Sequence, residues 1–221
     1  MTTTATVRYR PEGRTAGIRV VLAHGAGAGQ QHPFLVAVAK ALARRGIDVT
    51  TFDFPYVVAG RRLPDRPAVL EACARAVVEE VGAGGPVVFG GKSMGGRIGS
   101  QIAPSTSAVR ALFFLGYPLH PPGKPDTLRV AHWPRITVPC LFVQGTRDPF
   151  GSPEELAPHL ALLAGAVKVF PVEHGDHSFR IPKRSSGMDA GPSRRRRAEG
   201  SEVIARIHEE VARFVLAQGA R

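Results

Sequence analysis

Short apolar runs rich in valine, leucine and phenylalanine alternate along this chain with longer stretches whose apolar positions recur at helical spacing. The runs lie at 18–23, 49–54, from Val87, 111–115, 140–144 and 167–172, with a shorter one over 6–10. Most are continuously apolar, which suits strands covered on both faces. Between them, Phe34, Val38 and Leu42 set a helical period over 34–45 that Gly46 stops. Further helices are expected over 66–81, closing in Gly82-Ala83-Gly84-Gly85-Pro86, and over 94–102. Another begins near Pro153-Glu154-Glu155, where the acids suit the positive end of a helix dipole. The last is expected over 201–218 with Ser201 as its cap. The polar, arginine-rich stretch 184–200 reads as a flexible loop. Strand and helix in alternation predict an α/β fold, a mostly parallel sheet with helices on both faces. At 221 residues the chain suits one such domain, 1–221.

One run ends in an informative way. Val87-Val88-Phe89-Gly90 leads into Gly91-Lys92-Ser93-Met94-Gly95, a G-x-S-x-G pattern, and then into a helical stretch. A serine at a strand-to-helix corner sits on a tight turn with its hydroxyl pushed outward, and flanking glycines leave room for that geometry. The hydroxyl is a weak nucleophile until a base takes its proton and a third group orients the base. Asp148 follows the strand at 140–144 and His177 follows the strand at 167–172, so nucleophile, acid and base come in the order Ser93, Asp148, His177.

Each assignment has a rival. Asp148 could instead cap the helix after it. Asp176 adjoins His177, which would turn its side chain away from the imidazole, and Asp53 precedes Ser93 and breaks the order. His174 competes with His177, whose Gly175-Asp176-His177-Ser178-Phe179 setting favours it. An oxyanion needs backbone N–H donors, expected from Met94 and from Ala26 in the loop His24-Gly25-Ala26-Gly27. His24 is expected to brace that loop. Lys92 stays open between attracting an anionic substrate group and pointing to solvent.

Composition changes this picture little. The formal net charge of +11 is concentrated at Lys183, Arg184 and Arg194-Arg195-Arg196-Arg197, and reads as solvated surface with no specific nucleic-acid partner. Cys73 and Cys140 read as buried small hydrophobes, and no metal or cofactor is expected. No run approaches the ~20 apolar residues of a membrane span, and the N-terminus shows no signal-peptide pattern, so a cytoplasmic location is expected. Gly91-Lys92-Ser93 looks like the end of a phosphate loop, but the first glycine of that motif would fall at Pro86. The glycines after His24 likewise miss the dinucleotide pattern at Gln30. Between 115 and 139 the chain is short and proline-rich, leaving no room for a lid over the site.

With these motifs in view, the chain resembles a known group. Ala23-His24-Gly25-Ala26-Gly27, Phe52-Asp53-Phe54-Pro55-Tyr56, Gly91-Lys92-Ser93-Met94-Gly95-Gly96-Arg97, Gly116-Tyr117-Pro118-Leu119-His120-Pro121-Pro122-Gly123-Lys124, Gln144-Gly145-Thr146-Arg147-Asp148-Pro149-Phe150-Gly151 and Gly175-Asp176-His177-Ser178-Phe179 carry the likeness. They resemble the small α/β-hydrolase-like proteins of the testis-expressed and NSL-complex regulatory-subunit type, similar to dienelactone hydrolases in being compact and lidless. The resemblance implies the α/β-hydrolase fold and the triad Ser93, Asp148 and His177. Two function classes follow. One is a serine hydrolase acting on a small ester, thioester or related acyl compound as its small-molecule partner. The other is a catalytically silent interaction scaffold, as some relatives in this group suggest.

Overall fold

Continuous apolar strands need cover on both faces, and here they receive it. The computed structural model describes residues 4–181 and 193–219, with the backbone alone over 193–199. Its strands are β1 (Thr6–Tyr9), β2 (Arg19–Ala23), β3 (Asp48–Phe52), β4 (Val87–Lys92), β5 (Val109–Leu115), β6 (Cys140–Gly145) and β7 (Val167–Val172). They form one sheet in the order β1-β3-β2-β4-β5-β6-β7. β1 runs antiparallel to β3, and the other neighbours are parallel. The helices are α1 (Pro33–Ala43), α2 (Pro55–Val58), α3 (Pro67–Gly82), α4 (Met94–Ile102), α5 (Pro153–Leu156) and α6 (Ser193–Leu216).

The two-residue pleat sorts each strand's side chains between two cores. Val20, Leu22, Val88, Phe113 and Leu141 pack with Leu35, Val38 and Leu42 of α1 and Ile207, Val211 and Val215 of α6. Val21, Ala23, Phe89, Phe114 and Phe142 face the other way, onto Leu70, Ala74 and Val77 of α3 and Ile98 and Ile102 of α4. Cys73 and Cys140 are both free and buried in this second core, where burial pushes the Cys140 thiol up to about 12. A thiol so held is chemically quiet. Among the described residues no helix is long and apolar enough to cross a membrane.

Two expectations need correction. The closing helix begins at Ser193, not Ser201. The flexible loop expected over 184–200 is therefore helical in its last part, while 182–192 lie outside the described residues. Arginine, alanine and glutamate are good helix formers, so polarity alone does not mark this stretch as a loop. The helix near Pro153 is a single turn, α5, continued by a 3₁₀ segment over Ala157–Leu162. α2, directly after Phe54, is too short to show any periodicity.

Topology decides where a ligand can sit. β3 pairs on one side of β2 and β4 on the other, so strand order reverses between β2 and β4. The loops leaving those two carboxyl ends diverge and open a crevice, the usual ligand position in an open α/β sheet. The β5–β6 connection does not cover it. It folds down onto the sheet through fully buried Trp133, whose Nε1 donates to the Tyr117 hydroxyl at 3.1 Å. That hydroxyl in turn donates to the Arg129 carbonyl at 2.8 Å, and the Trp133 ring lies 5.5 Å from that of Phe142. Trp133→Ala should destabilise the protein by about 3–5 kcal/mol, read as a lower urea midpoint.

Two histidines far from the crevice tie stability to pH. Burial, helped by Arg135 and Arg97, lowers His132 to about 4, and burial with Arg45 and Arg44 does the same to His208. An unfolded histidine titrates near 6.5, so between about 6.5 and 4 the unfolded chain binds more protons. The stabilisation is complete above the unfolded value and is lost as pH falls through this window. The urea midpoint should drop between pH 7 and pH 5, and a His132→Gln/His208→Gln variant should lose less over the same interval.

Candidate active site

Ser93 is the residue between β4 and α4, and its backbone is at φ 51° and ψ −117°. That region is costly for a residue with a side chain and persists only where the surroundings enforce it. Here they do. The Ser93 N–H donates to the Leu115 carbonyl of β5 at 3.2 Å, and its own carbonyl accepts from Arg97 N–H at 3.1 Å. The flanking glycines permit the turn. A Cβ on Gly91 would overlap the backbone of Gly95 and Gly96, and one on Gly95 would stand 2.5 Å from the His24 carbonyl. The Ser93 hydroxyl makes no capping bond to its own helix and is left facing the crevice.

Asp148 and His177 reach it from the next strands. His177 Nε2 lies 2.8 Å from Ser93 Oγ, and His177 Nδ1 lies 2.7 Å from Asp148 Oδ2. With Asp148 ionised, Nδ1–H donates to the carboxylate and Nε2 accepts from the serine hydroxyl. Asp148 is only 3% exposed. Its Oδ1 accepts from Phe150 N–H at 2.9 Å and its Oδ2 from Gln144 Nε2 at 3.0 Å. A buried carboxylate is stabilised by such donors.

The rivals fall elsewhere. α5 is capped by Ser152 in a capping box with Glu155, so Asp148 does not cap it. Asp176 Oδ1 turns back to accept from Ser178 N–H and Arg180 N–H, at 2.7 and 2.9 Å. Asp53 accepts from the Gln30 backbone and side chain, at 2.7 and 3.0 Å. His174 is exposed and does not line the crevice, its N–H donating to Thr146 Oγ1 at 2.8 Å.

The loop after β2 supplies the opposite wall. His24 is buried, and burial lowers its pKa. Its Nδ1–H donates to the Gly25 carbonyl at 2.8 Å, and its Nε2 accepts from Phe54 N–H at 3.1 Å. The ring thus fixes the Gly25–Ala26 peptide, whose planar trans geometry points the Ala26 N–H opposite to that carbonyl. Tyr56 then holds the Ala26 carbonyl with its hydroxyl at 2.8 Å. Met94 is the first residue of α4, so its N–H has no acceptor within the helix and adds to the positive helix end.

A cavity of about 420 Å³ lies over Ser93 and His177. Its apolar walls are Phe34, Leu35 and Phe150, and Arg180 and His32 also border it. The Phe150 ring lies 4.3 Å from the His177 ring. Among the described residues no group of three or more His, Cys, Asp or Glu side chains is arranged to hold a metal ion.

Two participants were not read from the sequence. Gln144 is fully buried at the end of β6, joining Asp148 to Tyr117, whose N–H it accepts at 2.8 Å. A lone polar residue at the tip of Cys140-Leu141-Phe142-Val143 was the available signal. Phe150 carried none, because its place on the imidazole depends on the turn after Asp148. Lys92, left open by the sequence, borders the cavity, and its Nζ donates to the main-chain carbonyl of His177 at 2.7 Å.

Among solved structures, the fold is similar to an alpha-beta serine hydrolase homologue from Coxiella burnetii, with TM-score 0.68, 18% identity, and 91% of this chain and 90% of that one covered. A serine hydrolase described as lacking a lid, from Xanthomonas campestris, matches with TM-score 0.68 and 18% identity over 97% of this chain and 96% of the other. A dienelactone hydrolase from Anabaena variabilis gives TM-score 0.68 and 17% identity over 96% and 95%. At these identities the likeness is one of fold. The family model for the alpha/beta hydrolase domain matches residues 16–207, most of the sequence, and the chain belongs to that family.

Proposed function

We propose that this protein is a serine hydrolase that cleaves a small ester, thioester or related acyl compound. The observation that carries this reading is the unbroken hydrogen-bonded series from Asp148 through His177 to Ser93, at 2.7 and 2.8 Å, set at the reversal of strand order. In the reaction, Ser93 Oγ attacks the substrate carbonyl carbon while its proton passes to His177 Nε2. Asp148 holds the imidazolium through Nδ1–H. The carbonyl oxygen takes up negative charge against the N–H groups of Ala26 and Met94. Collapse of the tetrahedral adduct expels the leaving group, which takes the proton from His177 Nε2 and leaves an acyl group on Ser93. Water then attacks the acyl carbon, its proton going to the same nitrogen, and the acid is released as Ser93 recovers its proton.

The cavity supports the substrate class. At about 420 Å³ it is at the small end of ligand sites, which span roughly 300–1,000 Å³. Its apolar walls suit a short acyl or aryl group, and the serine hydrolase and dienelactone hydrolase names among its fold neighbours agree with acyl hydrolysis. More narrowly, we set the chain beside the testis-expressed and NSL-subunit type on its Gly116-Tyr117-Pro118-Leu119-His120 and Gly91-Lys92-Ser93 motifs.

A fluorophosphonate probe should label the wild-type protein at Ser93, read by mass spectrometry of the modified peptide. Equal labelling of wild type and Ser93→Ala would overturn the proposal. Where an ester is turned over, Ser93→Ala should lower kcat by on the order of 10⁶-fold. Asp148→Asn should cost about 10⁴-fold, by favouring the wrong imidazole tautomer. Across p-nitrophenyl esters, kcat/KM should peak at short acyl chains and fall steeply for long ones, because no lid extends the apolar wall.

A further inference from the structure

Lys92 is a cation at the heart of the site with no carboxylate in contact among the described residues. Its Nζ donates to the His177 carbonyl across 85 residues of sequence at 2.7 Å, and lies 5.5 Å from the centre of the Phe179 ring. Gly116, at φ 73°, makes room for it. A Cβ there would stand 3.1 Å from Lys92 Nζ and 3.3 Å from both Nδ1 and the carbonyl oxygen of His177. The ammonium and the imidazole therefore border the same gap behind the ring, away from Ser93. The His177 loop is otherwise braced from within, by Asp176 on Ser178 N–H and Arg180 N–H, and from the loop after β6, by Arg147 N–H on the Gly175 carbonyl at 2.9 Å and Asp148 on His177. Lys92 supplies a direct polar tie between this loop and the strand that carries the nucleophile.

We propose that Lys92 is the positioning residue for His177: its ammonium fastens the histidine's main chain to the end of β4 and places a positive charge behind the imidazole. The proposal rests on the serine-hydrolase reading. Its geometry has a physical rationale. A base displaced by ~1 Å from a nucleophile can lose on the order of 10²-fold in rate, so a loop braced from within and from the loop after β6 gains from an anchor on the nucleophile's own strand. A charge-assisted bond to a carbonyl is about twice as strong as a neutral one. Burial draws the lysine down to about 8, opposed by Asp148 and then Asp176, so the cation is held at a desolvation cost. Charged or ionisable groups near it are Asp148 after β6, Asp176, His177 and Arg180 after β7, and His24 after β2; β5 is followed by uncharged Gly116 and Tyr117.

The test is the second-order rate of fluorophosphonate labelling at Ser93, measured against pH for wild type, Lys92→Met and Lys92→Gln, with Tm recorded for each. Lys92→Met should slow labelling by about tenfold or more. Lys92→Gln, which keeps an N–H for the His177 carbonyl, should recover to within about threefold of wild type. A loss of bulk alone would slow both variants equally, so recovery confined to Lys92→Gln is the mark of the lost tie to the His177 carbonyl. Lys92→Met labelling at the wild-type rate overturns the proposal, as does Lys92→Gln labelling as slowly as Lys92→Met. Wild-type protein labelled no better at Ser93 than Ser93→Ala would instead defeat the hydrolase reading, and this assignment with it.

Discussion

The site depends on how closely the first turn of α4 can approach the ends of β2 and β4. The approach is a contact of backbone on backbone, with Gly95 against the His24 carbonyl and Gly91 against the Gly95–Gly96 peptide. Any side chain at either position would push the helix outward. Held there, the helix forces Ser93 to φ 51°. A tightly packed interior has no slack to relieve such a turn, so its strain is stored where the hydroxyl must be presented.

Around that contact, polar groups are buried only with partners. Asp148, the most costly of them, is matched by Phe150 N–H, Gln144 and His177. Gln144 is matched in turn by Tyr117 and by the Gly151 carbonyl at 2.6 Å. His24 uses both ring nitrogens on main-chain groups of two different loops. These bonds cross from strand to strand at the carboxyl edge of the sheet, so the loops after β2 and β3 hold each other in place, as do those after β5, β6 and β7. The cavity stays open because the β5–β6 connection is spent on covering the sheet, with Trp133 and Tyr117 as its anchors.

The strands were legible because burial on both faces demands continuous apolar residues, a demand visible in one dimension. The elbow was legible because glycines are required at fixed spacing around the serine. The order of serine, acid and histidine was legible because each follows a strand. The arginine-rich stretch was misread only from Ser193 on, because composition reports solvation, and a polar sequence can be solvated as a helix as well as a loop. The rivalry between Asp148 and Asp176 was resolved by the direction of a side chain: Asp176 is occupied by its own loop's N–H groups.

By itself, then, the sequence determined the α/β architecture, the strained corner at Ser93 and the residue types able to act on it. These are properties of local spacing and of apolar periodicity, and they need no neighbour to be expressed. Only the tertiary structure decided that Gln144 supports Asp148, that the Phe150 ring lies on the imidazole, and that Lys92 turns onto the His177 carbonyl. Each of those contacts joins parts of the chain brought together by parallel pairing or a tight turn. Hydrogen bonds and ring contacts act over a few ångströms of space, and spacing in sequence does not report those distances.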